Sequence, residues 1–232
     1  MGTTIGRIRR RAAASATVLA VAVAPAARAQ LREVREAGTA GFGFLAARPV
    51  GEFRGFVGTR GGFAAEATVG LPIGLRVAGS ALYYSHRYDL SPAVGPGLGD
   101  VETHSVIASL GLGPQLTLAA GPLKLYGYGT IGAGYFTTWF GGDCGCGGYG
   151  SAATLDDFTL AREVGGGLQL RVAGRRSPVY LHLSGRYVDH DDARYAVEDG
   201  VTVSTDGSVT VRAVESRVQF AMFQVGLSFG LK

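Results

Sequence analysis

Residues Thr103-His-Ser-Val-Ile-Ala-Ser-Leu-Gly-Leu-Gly-Pro-Gln-Leu-Thr-Leu118 alternate two kinds of side chain. Even positions carry His104, Val106, Ala108, Leu110, Leu112, Pro114, Leu116 and Leu118. Odd positions carry Thr103, Ser105, Ile107, Ser109, Gly111, Gly113, Gln115 and Thr117. A period of two sends neighbouring side chains to opposite faces of a strand, so one face is apolar and the other small and polar. The run is longer than the ~9–11 residues a tilted strand needs to cross a bilayer.

The same alternation recurs elsewhere. Near the C-terminus, Ala221, Phe223, Val225, Leu227, Phe229 and Leu231 oppose Phe220, Met222, Gln224, Gly226 and Ser228. Val179, Leu181, Leu183, Gly185 and Tyr187 oppose Tyr180, His182, Ser184 and Arg186, and Phe63 to Leu71 reads the same way. Eight segments result, at about 38–49, 60–71, 74–88, 102–118, 122–139, 158–173, 178–189 and 215–231. Short links follow the second, fourth and sixth, at Pro72-Ile73, Ala119-Ala120-Gly121 and 174–177. Long links of about 50–59, 89–101, 140–157 and 190–214 join the others. Short turns at one end and long loops at the other, with an even strand number, predict an all-β, eight-stranded antiparallel up-and-down transmembrane β-barrel. Within the last long link, Val201 to Thr205 and Ser208 to Arg212 flank Asp206-Gly207, a strong hairpin turn. That hairpin is expected to project above the barrel; if it extended into the membrane the barrel would have ten strands.

Composition agrees. The 232 residues include 38 glycines and only 17% charged residues, against roughly 25% in soluble domains. Glycine at this density disfavours long helices. A soluble barrel would need a water-excluding interior, and the polar faces here are built of Gly, Ser, Thr and single charges. In lipid the apolar faces turn outward, and closure satisfies the backbone.

The N-terminus carries Arg7, Arg9, Arg10 and Arg11, then an uncharged run from Ala12 to Ala24, Pro25, and Ala27-Arg28-Ala29. This is the pattern of a Sec-type signal peptide, 1–29, cleaved before Gln30. Residues 30–37 are then a periplasmic lead and 38–232 the barrel domain. The sequence pI near 9.2 would suggest an anionic partner such as nucleic acid. Removal of five arginines leaves 17 of the 22 basic residues against 18 acids, so the mature chain has a formal charge of −1 and that partner loses its support.

With its signal peptide, eight segments, unequal links and C-terminal strand Val218-Gln-Phe-Ala-Met-Phe-Gln-Val-Gly-Leu-Ser-Phe229, the chain resembles the small, porin-like outer-membrane β-barrels of the OmpA/OmpX type. The likeness covers nearly all of 38–231. The family usually ends at the aromatic residue, whereas this chain continues Gly230-Leu231-Lys232. The resemblance implies a monomer in the bacterial outer membrane, among its lipid and lipopolysaccharide, delivered by the barrel-insertion machinery. It implies no cofactor and a structural, loop-presenting or narrow porin-like role.

Several residues are candidates for function. Tyr83, Tyr135, Trp139 and Tyr187 on outward faces near the long links, with Phe229 near the short turns, suit an aromatic girdle. Glu66, Arg76, Glu163, Arg171, His182 and Arg186 share the inward parity. They form either an ion-pair network filling the lumen or the lining of a small-solute path. Arg162 falls on the outward face, which requires a place near the headgroups or a shifted register. His182 and Ser184 form a His-x-Ser pair similar to that of outer-membrane lipid A deacylases, the alternative reading, although parity points the pair into the lumen. Cys144 and Cys146 in a glycine-rich loop are a disulfide candidate across one residue; pairing between molecules or metal capture are the other readings, and two thiolates do not complete a zinc site. Asp189-His190-Asp191-Asp192 reads as a solvated acidic loop or a hard-cation ligand set. No complete metal site is predicted.

Overall fold

A computed structural model of the chain describes residues 36–88, 101–143, 149–174, 177–203 and 209–232. The expected signal peptide, Cys144 and Cys146, and the Asp206-Gly207 turn lie outside the described residues. Eight strands form a single sheet: β1 (Gly38–Val50), β2 (Arg60–Val69), β3 (Ile73–Tyr88), β4 (Val101–Ala120), β5 (Leu123–Asp143), β6 (Tyr149–Ala173), β7 (Val179–Val203) and β8 (Val209–Leu231). Each strand pairs antiparallel with the next. β1 and β8 close the ring from Gly38↔Leu231 to Val50↔Gln219, so within that span the closing strands leave no unpaired edge between them to template aggregation.

The alternating faces of the sequence account for the wall. Phe42, Phe44, Phe63, Leu75, Leu110, Leu112, Ile131, Val164, Phe223 and Val225 all point outward and are exposed, forming an apolar belt. Phe44 and Phe63 touch across β1 and β2 with ring centroids 5.1 Å apart. Short turns close the narrow end, and Gly121 and Gly174 supply the positive φ that two of them require.

Strands β6, β7 and β8 run further toward the long-link end than the alternation predicts. The expected separate hairpin is the continuation of β7 and β8, paired through Val201↔Val211, Thr202↔Thr210 and Val203↔Val209. Register shifts between His190 and Asp192 and between Ala196 and Val201 hide the alternation there. An extra residue reverses the parity of everything beyond it. Consequently the described strands number eight, and Asp189-His190-Asp191-Asp192 lies on a strand, not in a loop.

The interior also departs from expectation. Its short-turn half is polar, as the small and charged inward residues require. The half toward the long links is an apolar core built from Leu45, Leu82, Ile107, Phe136, Val188, Val218, Phe220 and Met222. A 3-10 turn, Gly51–Gly55, follows β1 and folds back over the opening so that Phe53 is fully buried. Phe53 meets Tyr195 edge-on at 4.8 Å and Phe220 at 5.2 Å. Burying these side chains stabilises the barrel by about 1.5–3 kcal/mol each, so the lumen has the water-excluding core that its glycine and serine content argued against.

Candidate functional site

The polar half of the lumen is organised around Arg76 on β3. Its Nη2 donates to Glu66 Oε2 at 2.5 Å and its Nη1 to Gln115 Oε1 at 3.1 Å, and Gln115 also accepts from Thr68 Oγ1. The guanidinium carbon lies 4.0 Å from the centre of the Tyr128 ring. The second Glu66 oxygen faces His182 Nδ1 at 3.1 Å, while His182 Nε2 meets the Tyr126 hydroxyl. A neighbouring group is centred on Glu163, which accepts from the Tyr128 hydroxyl at 2.5 Å and faces Arg186 Nη1 at 3.5 Å. Two guanidiniums thus match two carboxylates. Such pairing is what lets charges remain in a narrow interior, where an unpaired one would cost several kcal/mol.

Glycines on β6 make room for the two tyrosines. A Cβ at Gly165 would stand 2.7 Å from the Tyr128 hydroxyl, and one at Gly167 would stand 2.6 Å from that of Tyr126. At the short-turn mouth, Lys124 pairs with Glu36, whose other oxygen accepts from the Tyr180 hydroxyl at 2.7 Å.

Of the six inward charges predicted, the structure brings Glu66, Arg76, Glu163, His182 and Arg186 together. Arg171 stands apart. It has the inward parity but lies near the end of β6, beyond the enclosed part of the wall, and is exposed. Sequence reading missed Lys124, Glu36, Tyr126 and Tyr128. The signal for the tyrosines was the Gly165-Gly166-Gly167 run, which pairs across the sheet with the stretch from Tyr126 to Tyr128.

His182 and Ser184 both face the lumen and are almost wholly buried. The ring nitrogens of His182 are directed at Tyr126 and Glu66, not at Ser184. An acyl ester outside the wall has no route to that hydroxyl through the paired strands.

On the outside, Tyr83, Tyr187 and Phe229 are exposed, and Tyr135 and Trp139 are half-exposed. His104 stacks between Tyr83 and Trp139, with centroid distances of 6.2 and 5.6 Å. Just beyond Tyr187 lies a charged rim. Arg162 donates to both oxygens of Asp191 at 2.6 and 3.3 Å. Arg217 donates to both oxygens of Asp189 at 2.8 and 2.5 Å, and Gln219 adds a bond at 2.9 Å. The outward Arg162 is therefore paired at the level of the girdle. Arg217 holds the Asp189 carboxyl below the usual aspartate range, chiefly through these hydrogen bonds. These partners occupy two of the three carboxylates that the sequence offered as cation ligands, Asp189 and Asp191, and no cluster suited to a metal exists among the described residues.

The geometry defines a closed eight-stranded barrel with an apolar outer wall, a charge-balanced floor and an apolar seal. No protein-family model matches the sequence, and no curated protein does. Solved structures with a similar chain path are outer-membrane barrels. Ail, the attachment invasion locus protein of Yersinia pestis, is 14% identical with a TM-score of 0.48, over 84% of this chain and 99% of that one. Neisserial surface protein A is 16% identical with a TM-score of 0.39, over 84% and 97%. A major outer membrane protein of Thermus thermophilus is 14% identical with a TM-score of 0.42, over 82% and 98%.

Proposed function

We propose that the protein is a non-enzymatic barrel of the bacterial outer membrane, acting through the structures it presents at its long-link end and not by conducting solutes. The apolar belt and aromatic girdle support residence in a bilayer, and the export signal supports the compartment. The observation that carries the non-conducting reading is the seal formed by Phe53, Tyr195 and Phe220 across the lumen above the polar network. An ion entering from the short-turn side would have to leave water and pass a packed apolar layer, a step costing many kcal/mol.

Reconstitution into planar bilayers tests this directly. The intact protein is expected to show no steady conductance steps, and regular steps abolished by neutralising Glu66 or Arg186 would establish a pore instead. Localisation is checked separately: the mature chain should fractionate with the outer membrane and show heat-modifiable gel mobility. A water-soluble mature chain would end the membrane reading.

A further inference from the structure

A cleft of about 370 Å³ opens at the long-link end, between the segment after the Gly51–Gly55 turn and the distal part of β7 and β8. Its apolar lining is Phe56, Val57, Val197 and Val214, and its charged lining is Arg54 and Arg212. Both arginines are exposed, and neither has an ion-pair or hydrogen-bond partner among the described residues. They contrast with Arg162 and Arg217 at the rim, each held by an aspartate at two points. The cleft is backed by packed rings: Phe56 lies 6.1 Å from Tyr195, which lies 4.8 Å from Phe53.

We infer that this cleft is a binding site for a small anionic amphiphile, an aryl or short acyl group bearing a sulfonate, sulfate or carboxylate head. Three features select that class. The volume is that of a small-molecule site and leaves no room for a folded partner. The apolar walls favour a hydrocarbon or ring body, since seating it there removes apolar surface of both from water. The two guanidiniums on the lining supply charged donors of the kind that bind a planar or tetrahedral anion, and no described residue holds either of them. The seal beneath keeps the bound molecule at the surface. Binding here is independent of whether the lumen conducts, so this inference and the non-conducting reading fail separately.

The test uses the full mature chain in phosphatidylcholine nanodiscs, with 2-naphthalenesulfonate as the probe and empty nanodiscs as the reference for partitioning. Titration calorimetry is expected to show saturable binding at one site per barrel. Arg54→Gln/Arg212→Gln should weaken it about tenfold, and the uncharged 2-naphthalenemethanol should bind about tenfold more weakly than the sulfonate. Val214→Asp, which places a carboxylate in the apolar wall, should abolish binding. Heat-modifiable mobility confirms that each variant is folded; the substituted arginines are exposed, and their loss leaves the barrel intact. Uptake no greater than that of empty nanodiscs, affinity unchanged in the double arginine variant, or equal affinity for the uncharged ring would each overturn the inference.

Discussion

The guanidinium of Arg76 and the carboxylate of Glu66 meet at 2.5 Å on adjacent strands, both almost fully buried in the barrel interior. The pair sits beside Gln115, Tyr128 and His182, so each charge has further polar neighbours and neither can reach bulk water. Removing one partner leaves the other charge uncompensated, whereas removing both leaves only a packing defect.

Glu66→Gln or Arg76→Met alone should therefore destabilise the folded barrel by about 3–5 kcal/mol. The double substitution should cost less than the two singles added together. Denaturant unfolding in lipid vesicles measures this, and strict additivity would show that the pair does not act as a unit.

Gly134 faces His190 so closely that a Cβ there would stand 2.3 Å from Nδ1. The imidazole cannot simply move aside: it packs edge-on against Phe136 at 5.1 Å and lies 3.4 Å from both Ser109 Oγ and Thr159 Oγ1. Gly134→Ala is expected to cost about 1–3 kcal/mol through overpacking. In a His190→Ala background the same change should be nearly neutral. An equal loss in both backgrounds would place the conflict elsewhere.

Leu112 lies on the outer wall midway between the short turn and the girdle, with 47% of its surface exposed. Leu112→Arg should cost about 2–4 kcal/mol in a bilayer, the penalty for a cation near the midplane. The same change at the half-exposed Thr137, beside the girdle, should cost much less. Folding equilibria in vesicles compare the two, and similar penalties would contradict the assigned membrane level.

Asp189 gives a pH dependence of defined sign. Its carboxyl is held below the ordinary aspartate range by Arg217, so the folded state favours the ionised form. That contribution is complete above the unfolded value of ~4 and is lost as the pH falls through the depressed folded value. Stability of the wild type should fall in that acid range more steeply than that of Asp189→Asn. Parallel acid profiles for the two would show that the rim bonds do not influence folding.

The lumen position of Ser184 leads to a chemical prediction. Cells producing the protein should retain fully acylated lipid A by mass spectrometry, and Ser184→Ala should change nothing. An acyl chain lost with the wild type and retained with Ser184→Ala would establish the deacylase reading.

The strand order and the polar floor were legible because alternation is a local signal, and because Glu66, Arg76, His182 and Arg186 all keep the parity of their strands. The seal was not. Phe53, Phe56 and Val57 belong to a connection without period, and nothing local indicates that it folds inward. A partial signal existed: Leu45, Leu82, Ile107, Phe136, Val188 and Phe220 are large, share the inward parity and fall at the long-link ends of their strands. Only the register places them at one level. The bulge after His190 concealed the upper part of β7 for the opposite reason, since one inserted residue converts a regular pattern into an irregular one.

The continuation of β7 and β8 carries one strand pair well past the ring. From Tyr187 at the girdle to Val203, β7 stays paired with β8 for most of its length. At about 3.3 Å per residue that is on the order of 50 Å measured along the strand. Because the ribbon is paired beyond the girdle, its backbone continues past the level of the apolar belt, and a partner that engages the distal strands meets hydrogen-bonded strand and not a lipid-facing wall.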